Sequence, residues 1–312
     1  MIKSVLVMGG NQFVGREVAK YFIKKKYKVY VLNRGTRENL NAAIHLKVDR
    51  TKHGQMQLIL KNISVDTIVD ISAYTEKDSD IIQQVMKNKF KQYILISSAS
   101  VYNNIHSYPV NENDFIGENL IWGDYAKNKY LAEEITRKNS FLYNFKYTIF
   151  RPFYIYGIGN NLHRENYFFS RIKYDLPIYI PNKGEEIVQF GYIEDLVKAL
   201  EMSVGNQDFY NNIFNISGDE SVTFNRFINI CGEVIGKTPI KKYINTTFSD
   251  IKARDWFPFR DTHLFGDISK IKNLGFTNEY SLFDGLTKVY NYSEINNLLN
   301  MPVLHYLEKI FK

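Results

Sequence analysis

The chain has 312 residues, 45% of them hydrophobic, and 40 lysines and arginines stand against 33 aspartates and glutamates for a formal charge of +7. That apolar content can fill a sizeable core and excludes a disordered chain, while the length admits two domains or one large one. The longest apolar runs, such as Val5 to Met8 and Tyr93 to Ile96, are strand-sized and far short of the ~20 residues that span a bilayer. No secretory leader precedes the first strand-like run, and the single cysteine, Cys231, excludes an internal disulfide, so a cytoplasmic protein without a membrane span is expected. Cys231 lies among apolar residues at helical spacing and reads as an inert buried thiol. The basic residues are dispersed, with the densest run, Lys24-Lys25-Lys26, at what reads as an exposed helix end, so a solvated face is expected rather than a nucleic-acid stripe. The six histidines show no ligand spacing, and no metal site is expected.

In chain order, strands are predicted at Ser4 to Met8, Lys28 to Leu32, Ala43 to Lys47, Thr67 to Ile71, Tyr93 to Ser97 and Tyr147 to Phe150. Helical patterns fall between them at Gly15 to Lys25, Gly54 to Asn62, Asp78 to Asn88 and Asp124 to Asn139. The alternation predicts a doubly wound parallel sheet of the Rossmann type, with ligands at the carboxyl ends of its strands. After Arg151 the alternation stops, and prolines and glycines divide the remainder into shorter pieces. We assign residues 1–155 and 188–216 to a dinucleotide-binding domain, and 156–187 and 217–312 to a smaller α/β lobe for substrate, with a terminal helix over 292–312.

Between the first strand and helix stands Gly9-Gly10-Asn11-Gln12-Phe13-Val14-Gly15, which places backbone N–H groups and a helix N-terminus where a pyrophosphate would lie. Gln12 occupies a position where the usual fingerprint has a glycine; its side chain either turns outward or hydrogen-bonds the phosphate itself. The second strand runs into Asn33 and Arg34 where an NAD-preferring fold usually places an acid. Asn33 does not repel a 2′-phosphate, and Arg34, with Arg37, is placed either to pair with one or to lie solvated on its loop; NADP is favoured over NAD.

Further on, YILISSASVY (93 to 102) is followed by DYAKNKYLAEE (124 to 134). Tyr125 and Lys129 stack one helical turn apart, and an ammonium beside a phenol favours phenolate, which makes the tyrosine a usable acid/base. Ser98, at a strand end, is placed to donate to a substrate oxygen.

With these motifs the sequence resembles the extended short-chain dehydrogenase/reductase family, the NAD-dependent epimerases, dehydratases and reductases of nucleotide sugars. MGGNQFVG, ISSASVY and YAKNK carry the resemblance, supported by RPFYIYG (151 to 157), FGYIEDLVKAL (190 to 200) and FNISGDESVTF (214 to 224). The resemblance implies a nicotinamide cofactor, a nucleotide-sugar substrate in a cleft with the second lobe, and a homodimer through helices that include Asp124 to Asn139. By motif position Ser98 orients the carbonyl, Tyr125 is the acid/base, and Lys129 holds both the tyrosine and the nicotinamide ribose. Asp49 matches a position that contacts adenine or else caps its own loop, and Ile71, Ser72 and Ala73 match the strand end that lines the cofactor. Arg164 and Arg260 are candidate substrate contacts, Arg260 because FPFRD (257 to 261) and the residues after it resemble the diphosphate-contacting region; Arg171 reads as a surface salt-bridge residue.

Where the family's 4,6-dehydratases carry an Asp-Glu pair after the serine position, this chain has Ala99 and Ser100, which argues against dehydration. GGNQFVGR, VLNRG and FPFRD look closer to a branch that includes chloroplast RNA-binding members. An NAD(P)-dependent epimerase or ketoreductase is the expectation. An RNA-associated protein that keeps the fold, and a nucleotide-sensing regulator without chemistry, are the alternatives.

Overall fold

The computed structural model describes residues 3–246 and 252–300. In chain order the elements are β1 (Ser4–Met8), α1 (Phe13–Lys24), β2 (Lys28–Asn33), β3 (Ile44–Lys47), α2 (His53–Ile59), β4 (Thr67–Asp70), α3 (Glu76–Val85), β5 (Gln92–Ile96), α4 (Asp124–Tyr143) and β6 (Lys146–Pro152). There follow β7 (Tyr154–Tyr156), α5 (Arg164–Lys173), β8 (Ile178–Pro181), β9 (Ile187–Tyr192), α6 (Ile193–Ser203), β10 (Asn212–Ile216), β11 (Ser221–Thr223), α7 (Phe224–Ile235), β12 (Lys241–Ile244), α8 (Ser269–Lys272) and α9 (Leu282–Ile295). The chain divides into two units. The first comprises the described residues through Phe153, with Ile193–Ile216 and Gly266–Thr277; the second comprises the described residues of Tyr154–Tyr192 and Ser217–Phe265 and those from Asn278 on.

The first unit is built on one parallel sheet of seven strands in the order β3-β2-β1-β4-β5-β6-β10. This is the doubly wound arrangement expected from the sequence, with the order reversing between β1 and β4. Helices cover both faces of such a sheet, so its central strands read as unbroken apolar runs, and Val5 to Met8 and Tyr93 to Leu95 are wholly buried. The seventh strand, β10, was not foreseen. Its run NIFNI is broken by Asn212 and Asn215, and Asn215 proves to be a buried tie: it accepts from Tyr102 Oη at 2.6 Å and donates to the carbonyls of Val110 and Asp267 at 3.1 Å.

Helix ends in this unit follow local chemistry. A capping box opens α3, with the Thr75 hydroxyl accepting from Asp78 N and the Asp78 carboxylate accepting from Thr75 N. The chain leaves α4 through Asn144 in the left-handed region.

The second unit holds a three-stranded sheet, β7-β9-β11, and a parallel pair, β8 with β12. Its interior is aromatic: Phe190 stacks on Phe227 with centroids 4.4 Å apart, and Phe259 packs with Tyr154, Phe168, Phe224 and Phe257. Cys231 is buried in α7, and burial pushes its thiol well above the ordinary range, away from nucleophilic chemistry. Arg171 departs from expectation. It is fully buried, its Nε donates to the Pro177 carbonyl, and its guanidinium lies 5.6 and 5.9 Å from the ring centroids of Tyr179 and Tyr167. The whole α5 face carrying Tyr167, Phe168 and Arg171 turns inward, so the arginine is a packed residue and not a surface one. The helix expected over 292–312 lies outside the described residues from 301 on; what is described is α9, which ends at Ile295 ahead of Asn297 at φ 54°.

A buried ion pair ties α4 to β6. Arg151 Nη2 lies 2.8 Å from Glu133 Oε2 and Nε donates to Oε1 at 3.1 Å, while the Ser97 hydroxyl donates to the same Oε1 at 2.5 Å. Removing one partner strands the other charge out of water. Arg151→Leu is therefore expected to cost about 3–5 kcal/mol in urea unfolding, and Arg151→Leu with Glu133→Leu to cost less than the single change.

Candidate active site

The strand β1 ends at Met8, and Gly9 turns the chain at φ +86°, its N–H donating to the Leu32 carbonyl at 3.0 Å. A Cβ on Gly15 would stand 2.2 Å from the Gly9 carbonyl oxygen, so only glycine lets the first turn of α1 pack against the loop. Gln12, the N-cap, is extended and its side chain does not cap the helix; its carbonyl accepts from Gly15 N at 3.0 Å, which leaves the N–H groups of Phe13 and Val14 at the start of α1 to other partners. Asn11 is only 7% exposed, yet neither polar atom of its side chain has a partner among the described residues. The Asn33 side chain accepts from Gly35 N at 2.7 Å while its Nδ2 is buried without a partner among those residues, and Arg34 is exposed. A tight glycine cradle, an uncapped helix start and orphaned amide groups fit the phosphates and hydroxyls of a dinucleotide.

Asp49 ties its own loop through a single carboxylate oxygen, Oδ1. Its carboxylate accepts from Thr51 N and Oγ1 at 2.9 and 2.8 Å, and those bonds hold it below the usual carboxylate range. Its neighbour Arg50 turns inward to Asp70. That pair was missed in the sequence, although an acid inside the apolar run TIVDIS was a signal that something buried must answer it. Beyond β4, Ile71, Ser72 and Ala73 lead away from the sheet, and Ser72 abuts the glycine turn: a Cβ on Gly9 would lie 2.8 Å from its Cβ.

The two serines after β5 divide the work. Ser97 is buried and bonded to Glu133, whereas Ser98 is half-buried at the strand end, its Oγ accepting from Ser100 N at 3.1 Å and keeping its own proton to donate. On α4, Tyr125 is 40% exposed and Lys129 only 2% exposed. The Lys129 ammonium donates to the carbonyls of Ala73 and Ile96, both at 2.8 Å, and lies 5.2 Å from the ring centroid of Tyr74. Burial lowers its pKa to about 8, against the pull of Asp70 in the other direction. Lys129 is thus fixed between the ends of β4 and β5, one turn along the helix from Tyr125.

In the second unit Arg164 stacks its guanidinium over Tyr154 and Phe259, 5.2 and 5.5 Å from their centroids, and among the described residues no acid pairs with it. A third arginine joins Arg164 and Arg260: the pKa of Arg254 is lowered first by burial and then by the charge of Arg164, with Arg260 acting in the same direction, so both cations are near enough to bear on it. Arg254, six residues ahead of Arg260, was the part of this cluster not anticipated. Its arrangement suits a polyanion.

The family model described as the NAD dependent epimerase/dehydratase family matches residues 5–217. The chain belongs to that family. A relative in Arabidopsis thaliana, the chloroplast stem-loop binding protein of 41 kDa b, is 31% identical over 306 residues, covering 93% of this chain and 79% of its own. Among solved structures, the UDP-glucose 4-epimerase of Thermotoga maritima with UDP-glucose superposes with a TM-score of 0.80 at 20% identity, covering 94% of this chain and 99% of that one. The UDP-glucuronic acid 4-epimerase of Bacillus cereus, in complex with UDP-glucuronic acid and NAD, superposes at 0.76 with 19% identity, over 94% and 99% of the two chains. The overall fold of this chain is thus shared with these structures.

The glycine turn yields a direct test. Gly15→Ala is expected to force α1 off the loop and to weaken NADH binding at least tenfold, read by the fluorescence of the bound nucleotide, because the clash is with backbone and not with a movable side chain.

Proposed function

We propose that this epimerase/dehydratase-family chain is a nicotinamide-dependent epimerase or ketoreductase acting on a hydroxyl or keto carbon of a nucleotide sugar. The observation that carries this reading is the buried Lys129 ammonium, pinned at 2.8 Å to two strand-end carbonyls one helical turn from the exposed Tyr125. Gly9, Asn11, Gln12, Phe13, Val14, Gly15, Asn33 and Ser72 would hold the dinucleotide, which when bound supplies the site that accepts and returns a hydride.

The protein's own groups then handle the proton. Ser98 donates a hydrogen bond to the substrate oxygen and orients it toward Tyr125, whose Oη takes the hydroxyl proton as the carbon is oxidised and gives it back on reduction. The charge of Lys129 favours the tyrosine oxygen as its proton leaves, and its fixed seat means that no reorganisation is needed at that moment. Within the second unit, Arg164, Arg254 and Arg260 form a cationic cluster suited to a diphosphate. Dehydration is disfavoured because the residues after Ser98 are Ala99 and Ser100, buried in a 3₁₀ turn, where elimination would need an acid and a base.

We take NAD as the resident cofactor. The preference for NADP stands on Asn33, Arg34 and Arg37 alone, and the cofactor named for the Bacillus cereus structure is NAD. RNA binding is a second reading, favoured by the name of the Arabidopsis relative, and it predicts affinity that falls linearly on a log-log plot with salt.

The test is to denature the freshly purified protein and identify the released nucleotide by mass spectrometry, then to assay UDP-glucose and UDP-glucuronate. Stoichiometric NAD(H) with sugar turnover is expected; a protein that neither carries nor binds a nicotinamide nucleotide would sink the proposal. Tyr125→Phe is expected to lower turnover by about 10²–10⁴-fold with NADH affinity unchanged. Because Lys129 is cationic below about pH 8 and neutral above it, turnover is expected to fall as pH rises through that value in a pH–rate profile.

A further inference from the structure

The Arg50 side chain reaches from the loop after β3 to the segment that follows β4. Its Nη1 donates to Asp70 Oδ1 at 2.8 Å and to Ser72 Oγ at 2.7 Å, and its Nη2 donates to Asp70 Oδ2 and to the Asp78 carbonyl, both at 2.7 Å. Nε lies 3.4 Å from Asp78 Oδ1, and Asp78 Oδ2 accepts from the backbone of Tyr74 and Thr75. Asp70 is fully buried and takes a further bond from Tyr93 Oη at 2.7 Å. One guanidinium thus binds both ends of residues 70–78.

Two of the residues so clamped face the site described above. Ser72, held by Arg50 Nη1, presses on Gly9 at the start of the glycine turn, and Ala73, the next residue, offers the carbonyl on which Lys129 sits. A buried ion pair is a poor device for stability, since apolar residues of similar volume do as well or better. The fork geometry, by contrast, fixes several acceptors at once in a way that no apolar side chain can. We infer that Arg50 and Asp70 are a positioning pair, which sets the end of β4 so that the dinucleotide turn and the Lys129 seat keep their register. This rests on the cofactor reading proposed above.

The experiment compares NADH affinity, by fluorescence titration, and the urea unfolding midpoint for wild type, Arg50→Lys and the double variant Arg50→Met with Asp70→Leu. The double variant removes both charges of the Arg50–Asp70 pair together and leaves Asp78 held by the backbone N–H groups of Tyr74 and Thr75, and Arg50→Lys keeps the charge but loses the fork. Each is expected to bind NADH about tenfold more weakly, with a shifted emission maximum for the bound nicotinamide and an unfolding midpoint close to wild type. Wild-type affinity and emission in either folded variant overturn the positioning role. If the double variant does not fold, the pair is structural and the inference fails unless folded Arg50→Lys shows the loss in affinity. A wild-type protein that binds no NADH overturns the cofactor reading itself and this role with it, a result distinct from wild-type binding that survives the substitutions.

Discussion

The arrangement of the first unit turns on one buried ammonium. Lys129 gives up most of its hydration and receives two carbonyl oxygens in exchange, those of Ala73 and Ile96, each 2.8 Å away. Those carbonyls belong to the chain just past β4 and to the last residue of β5, so the lysine binds neighbouring strands of the sheet at their carboxyl ends. Everything placed near it inherits that register: Ser98 at the end of β5, Ser72 against the glycine turn, and Tyr125 one turn back on α4. A loop-borne constellation would have to be held by its own contacts, whereas here a sheet and a 20-residue helix hold it.

A second buried ion pair bounds this region from below. Glu133 stands four residues beyond Lys129 on α4, so it occupies the same face, and Arg151 and Ser97 anchor it to the sheet. Lys129 and Glu133 thus fix α4 to the sheet over a full turn of helix. Neither residue can rotate without leaving a buried charge stripped of its hydrogen-bond partners, which keeps Tyr125 in a fixed azimuth while its exposure leaves it open to a substrate.

Much of this was legible in the sequence because it is local. Six strands show as apolar runs, the helices between them as amphipathic stretches, and the tyrosine and lysine as a pair at helical spacing, so the fold class and the core of the site follow from short-range pattern. What could not be read lies in contacts between distant segments. Arg50 and Asp70 are twenty residues apart and meet only through the fold; the acid in TIVDIS signals a buried partner, but nothing local marks Arg50 as that partner. β10 was hidden because two asparagines break its short apolar run, and Asn215 serves as a buried tie and not as a surface polar group. Arg171 misled for a related reason: polarity was taken for exposure, but an arginine can be packed between tyrosine rings with its charge spread over their faces. Arg254 was overlooked because charge clustering in the second unit depends on how β7, α5 and the segment around Phe259 pack, and spacing along the chain does not reveal it.

The same physics bears on the choice between catalysis and phosphate binding alone. A chain that needed only to attract a phosphate backbone would gain most from lysines in water, where the charge is retained at no cost in desolvation and acts through counterion release. Lys129 is the opposite: burial works against its charge strongly enough to bring its pKa to about 8, and two of its three donors are held by strand-end carbonyls. Such a group adds nothing to a basic surface. A cation held at a fixed point one helical turn from an exposed tyrosine is what the catalysis proposed above requires, and a basic exterior alone does not call for it.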